Sequence, residues 1–141
     1  MSAEIFLGGR VQLWAGGPSG PGSAPAWTYD GDTEGARAGV SLAMGDVDGD
    51  GCDDAVVSES YYSTADMVEC GRVLWFRGGP RGLSSKPAWS WTGPATHARV
   101  GTNRVLVRDL DGDGRAEVIV GAYNHRRTAA AGATGLVAVF R

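Results

Sequence analysis

The chain is poor in the residues that most catalysis uses. Of its 141 residues two are histidine and two are cysteine. His97 and His125 fall in stretches that read as loops, and neither belongs to a recognisable catalytic motif. Both read as surface polar residues, and a non-enzymatic chain is expected. Cys52 and Cys70 lie at opposite ends of one expected strand. Five or six extended residues span ~17–20 Å, whereas bridged Cα atoms lie within ~7 Å, so two free thiols are expected. No run of 18 apolar residues occurs, which removes a membrane-spanning helix, and Met1–Gly9 is too short for a signal peptide. A formal charge of −3 and a pI near 5.3 leave no basic surface for nucleic acid. No stretch of adequate length carries a helical apolar period.

What the chain does have is glycine, 23 residues against 6 prolines, in keeping with turn-rich β structure. It also has a short acidic loop that occurs twice. The first copy is Asp46-Val47-Asp48-Gly49-Asp50-Gly51-Cys52-Asp53-Asp54, and the second is Asp109-Leu110-Asp111-Gly112-Asp113-Gly114-Arg115-Ala116-Glu117. Oxygen ligands at positions 1, 3 and 5, a glycine at 6, a main-chain carbonyl at 7 and a carboxylate at 9 would wrap a hard cation such as Ca2+. The candidate ligands are therefore Asp46, Asp48, Asp50, the carbonyl of Cys52 and Asp54, and then Asp109, Asp111, Asp113, the carbonyl of Arg115 and Glu117. A helical EF-hand would put its bidentate glutamate at position 12, between two helices. Here the flanks are Val40–Met44 and Ala55–Val57, then Val105–Val107 and Val118–Val120, which read as buried strands joined in hairpins. Asp-Gly pairs also make plain turns. Three acidic side chains at alternate positions would repel one another in a metal-free turn, and the whole pattern recurs, so the calcium reading is preferred.

The recurrence extends beyond the loop. Gly9-Arg10-Val11-Gln12-Leu13-Trp14 returns as Gly71-Arg72-Val73-Leu74-Trp75-Phe76, and Pro25-Ala26-Trp27-Thr28-Tyr29 as Pro87-Ala88-Trp89-Ser90-Trp91. A third copy begins at Gly135-Leu136-Val137-Ala138-Val139-Phe140-Arg141, giving a period of about 62 to 64 residues. Strands are expected at 40–45, 55–59, 71–77 and 88–92, with equivalents at 102–108, 118–122 and 135–141. Four antiparallel strands per repeat is the content of a β-propeller blade. Ala3–Gly8 also matches Ala116–Gly121, so a strand at Ile5–Leu7 and a tight Gly8-Gly9 hairpin are expected. The fold expected is all-β, a repeat array with a partial blade over 1–30, a full blade over 31–92 and a partial blade over 93–141.

An Asp-x-Asp-x-Asp-Gly loop between two apolar strands, repeated at this period, resembles the FG-GAP repeats of integrin α-subunit propellers and their bacterial relatives. In that family each repeat opens near a Phe-Gly, carries the calcium loop and continues into a Gly-Ala-Pro. The first landmark stands here as Ala38-Gly39 and Val100-Gly101, the second as Ser58-Glu59-Ser60 and Gly121-Ala122-Tyr123, and Glu117 replaces the usual final aspartate. The resemblance implies bound calcium and an extracellular or cell-surface setting, where calcium is millimolar.

A family propeller closes with six or seven blades, whereas this chain supplies little more than two repeats. Either the chain is a piece of a longer protein or several copies share one ring; with Met1 first and an outward-bound strand last, a homo-oligomer is the favoured expectation, most simply a trimer of about six blades. The preferred function is a non-catalytic calcium-binding module for interaction, adhesion or assembly, with a protein or glycan ligand. One alternative is a lectin-like module using Trp27/Tyr29 and Trp89/Trp91 as sugar platforms. Their alternate spacing puts each pair on one strand face, and packing between blades is preferred for them. Another alternative is a piece of a propeller-containing hydrolase.

Overall fold

The β-branched runs on either side of each acidic loop become strands, and everything else in the fold is arranged around the two hairpins they form. The computed structural model describes residues 8–126, 128 and 132–141. In chain order the strands are β1 (Arg10–Leu13), β2 (Gly16–Gly17), β3 (Gly20–Pro21), β4 (Trp27–Asp30), β5 (Ala38–Gly45), β6 (Asp54–Glu59), β7 (Arg72–Phe76), β8 (Trp89–Thr92), β9 (Val105–Arg108), β10 (Glu117–Ala122) and β11 (Leu136–Phe140). No helix occurs among the described residues. The middle sheet is a meander, β5-β6-β7-β8, flanked by the pair β1-β4 and by β9-β10-β11. All pairings are antiparallel. These are propeller-type blades, and among the described residues they do not close a ring.

Period-two alternation gives the middle sheet two apolar faces. Ala55, Val57, Leu74 and Phe76 cluster with Val11 of β1 and with Trp27 and Tyr29 of β4. Val56 and Val73 cluster instead with Val105, Val118, Val120 and Ala122 of the third sheet, with Trp91 and Phe140 packed alongside. The aromatic pairs make the same contact twice. Trp27 and Tyr29 hold Phe76 at centroid distances of 5.1 and 4.8 Å, and Trp89 and Trp91 hold Phe140 at 4.9 and 5.0 Å. The pairs therefore sit between sheets, as their spacing suggests.

Polar groups and backbone close the same joints. Glu59 is wholly buried; it accepts from Tyr29 Oη at 2.7 Å and from Arg72 Nε at 2.8 Å, and Arg72 reaches on to Asp32 at 2.7 Å. Burial, and then the Glu59 carboxylate, push the Tyr29 hydroxyl far above its ordinary pKa, so it stays a donor. At the repeat-equivalent Gly9 and Gly71, φ is +86° and +79°. A Cβ there would lie 2.5 Å from the amide nitrogen of Ala38, which opens β5, or of Val100, in the turn before β9, so only glycine lets the backbones meet.

Two details depart from the expected strands. Thr102 turns back, with both its amide and its hydroxyl donating to the Arg99 carbonyl, so β9 starts at Val105 rather than at 102. A miniature hairpin, β2-β3, bends around Pro18-Ser19 where no strand is expected. The expected Ile5–Leu7 strand lies outside the described residues. The aromatic clamp carries a prediction: Trp89→Ala lowers stability by about 3 kcal/mol, the lower end for a core aromatic because Trp89 is only part-buried. Chemical denaturation measures it, and a variant that keeps full stability while losing sugar binding reverses the assignment.

Candidate metal centres

The first acidic loop joins β5 to β6 and the second joins β9 to β10. In each, the first aspartate folds its carboxylate back over the turn. Asp46 Oδ1 accepts from the amides of Gly49 (2.7 Å) and Asp50 (3.1 Å), and Oδ2 from Gly51 (2.8 Å). Asp109 repeats this with Gly112 (2.6 Å) and Gly114 (2.9 Å). Those amides, Gly114 and then Gly112, hold the Asp109 carboxyl below the usual carboxylate range. Two residues before the carbonyl candidates, Asp50 accepts from the Cys52 amide and Asp113 from the Arg115 amide, both at 2.8 Å. Burial and the neighbouring Asp50 carboxylate push the Cys52 thiol up, which keeps it neutral.

The third and ninth positions behave differently from the first. Asp46, Asp48 and Asp50 each bring a carboxylate oxygen within 4.8 Å of the others. In the second loop the trio is Asp109, Asp111 and Glu117, the ninth position standing in for the fifth. Asp54 stands apart from the first trio: it is wholly buried and accepts from the amides of Val47 (2.9 Å) and Gly78 (2.6 Å). Glu117, nearly as buried, makes the matching bond to the Leu110 amide at 2.8 Å while remaining within its trio. Asp113 lies outside that trio. One oxygen of Asp48, Oδ1, is buried without a hydrogen-bond partner.

Two arginines reach these loops that sequence reasoning did not single out. Arg77 Nε lies 2.6 Å from Asp48 Oδ2. Arg141 Nη2 lies 2.8 Å from Asp111 Oδ2, and its Nε lies 3.2 Å from Glu117 Oε1. The signal was present in the repeat, since Phe76-Arg77 aligns with Phe140-Arg141. The loops are also neighbours: the Ala116 amide donates to the Asp46 carbonyl at 2.7 Å.

The FG-GAP repeat model matches residues 38–68 and 101–140, half of the chain, with one acidic loop in each segment. The chain is 34% identical to integrin alpha-IIb of Homo sapiens over 125 residues, 86% of this chain and 12% of that protein. It is 32% identical to integrin alpha-5 of Xenopus laevis over 120 residues, 82% of this chain and 11% of that protein. With integrin alpha-PS2 of Drosophila melanogaster it shares 36% identity over 93 residues, 60% of this chain and 6% of that protein. It thus spans a small part of the length of these relatives. From the two matched segments, each a loop held between antiparallel strands of a blade, the chain belongs to the FG-GAP repeat family.

Proposed function

We propose that this chain is a calcium-binding β-propeller module that serves interaction or adhesion without catalysing a reaction. The observation that carries the calcium reading is the buried Asp48 Oδ1, an acceptor without a partner within a trio of carboxylates. A buried acceptor left unpaired is costly, and a hard cation satisfies it. The donor set is all oxygen, as calcium prefers, so the residues present fit the ion. Asp46, Asp48 and Asp50 with the Cys52 carbonyl would hold one ion, and Asp109, Asp111 and Glu117 with the Arg115 carbonyl the other. Asp113 is the remaining second-loop candidate. Asp54 serves mainly as the clamp between Val47 and Gly78. When bound, calcium neutralises the crowded carboxylates and staples each hairpin.

The integrin relatives favour adhesion, and a module with that role would act outside the cell or at its surface. The sheets also favour assembly with further copies of this chain. Leu106, Val137 and Val139 are 45%, 68% and 52% exposed on one face of the third sheet. Trp14, 44% exposed, occupies the repeat position of Phe76 and Phe140, the residues gripped between sheets. A blade ending in an open apolar face and a blade offering an unused aromatic are suited to follow one another head to tail, and a trimer is the simplest closed ring.

Two outcomes are expected. Isothermal titration gives about two calcium sites per chain and calcium raises the melting temperature, while Asp48→Ala and Asp111→Ala each remove about one site; no heat at millimolar calcium removes the calcium reading. Light scattering in calcium gives a closed oligomer, and Val139→Asp shifts it towards monomer; a stable, compact monomer of the unmutated chain contradicts the shared ring.

A further inference from the structure

We infer that Arg77 and Arg141 are positioning residues of the two cation loops, each anchoring one oxygen of the loop's third-position aspartate so that the other oxygen is left for the ion. This rests on the calcium reading of the loops. Both arginines hold Oδ2 of the third-position aspartate; the other oxygen has no partner in Asp48 and one long bond, 3.3 Å from the Asp113 amide, in Asp111. Arg77 engages Asp48 Oδ2 and leaves Oδ1 without a partner. Arg141 engages Asp111 Oδ2 and, through its second nitrogen, Glu117, so that it braces two members of one trio.

Strand register explains how the arginines reach the loops. Phe76 pairs with Ala55, and Phe140 with Val118, each the second residue of the strand that leaves a loop. The residue after each phenylalanine therefore emerges beside the loop. Both phenylalanines are fixed by their aromatic clamps, so the arginine backbones are placed before the side chains extend. The Arg77 guanidinium also lies over the Trp75 ring, 5.4 Å from its centroid, which narrows its choice of rotamer. The first sheet offers a contrast: it has no acidic loop among the described residues, and the position after Trp14 is Ala15.

Two effects of a nearby guanidinium oppose each other. Its charge repels a divalent ion, whereas its hydrogen bonds fix the ligand carboxylate. The two arginine side chains are 56% and 68% exposed, so water and salt screen the repulsion. The orienting bonds are short and directional, and partners of this kind typically contribute 10–100-fold to metal affinity. Positioning is therefore the larger effect.

The test isolates one site at a time by calcium titration. In an Asp111→Ala background, where the first loop is the remaining site, Arg77→Ala weakens calcium binding by ~10–100-fold, and Arg77→Lys, which keeps a charged donor, recovers part of the loss. In an Asp48→Ala background Arg141→Ala does the same to the second loop. Melting temperatures in chelator stay close to those of each background protein, since the loss concerns ion binding. Unchanged or tighter affinity in the arginine variants overturns the inference while leaving the calcium reading intact. Absence of calcium binding by the unmutated chain overturns both.

Discussion

The whole arrangement depends on a carboxylate bonded to the backbone of its own turn. Asp46 and Asp109 take the amides of the glycine-rich turn that follows each of them, and this makes a tight reversal out of a segment crowded with negative charge. Glycines in the left-handed region are required for that path: φ is +76° and +86° at Gly49 and Gly51, and +79° and +88° at Gly112 and Gly114. Once each turn is set, the strands on either side fall into antiparallel register, and alternation assigns their side chains to two faces. Asp54 carries the constraint one strand further, because its second oxygen holds the amide of Gly78 just beyond β7.

From there the fold propagates by repetition. The first and the middle sheet each present a pair of aromatic residues on one strand and receive a phenylalanine from the next sheet, so the inter-sheet contact is a copied unit. Burial of Glu59 with Tyr29 and Arg72 adds a polar lock at the first joint. The desolvation cost of burying these charges offsets much of their attraction, so the pair is not a large source of stability. The second joint relies on Val56, Val73, Val118 and Val120 instead. Because the contact is copied, the chain ends up with one unmatched apolar face and one unmatched aromatic, the features behind the proposed assembly.

Much of this was legible in the residues. The runs at Ala55–Val57 and Val118–Val120, bounded by Asp and Gly, marked their strands, and alternate aromatic spacing marked Trp27/Tyr29 and Trp89/Trp91 as packing pairs. What remained hidden depends on register or on partners distant in sequence. Thr102 reads as strand because its neighbours are β-formers, yet two bonds to the Arg99 carbonyl hold it in a turn. Asp54 reads as a ligand by position, but its use of the Val47 and Gly78 amides follows only once β7 is placed beside β6. The same holds for Arg77, whose approach to Asp48 requires knowing that Phe76 faces Ala55.

The central claim is that the third-position aspartate presents a free oxygen to a cation. A crystal structure grown in calcium tests it most directly. The account predicts an ion in the first loop at ~2.3–2.6 Å from Asp46, Asp48 and Asp50, with Asp48 contributing Oδ1 and keeping Oδ2 on Arg77. An ordered loop without an ion, in which a water or an amide satisfies Asp48 Oδ1, would contradict it.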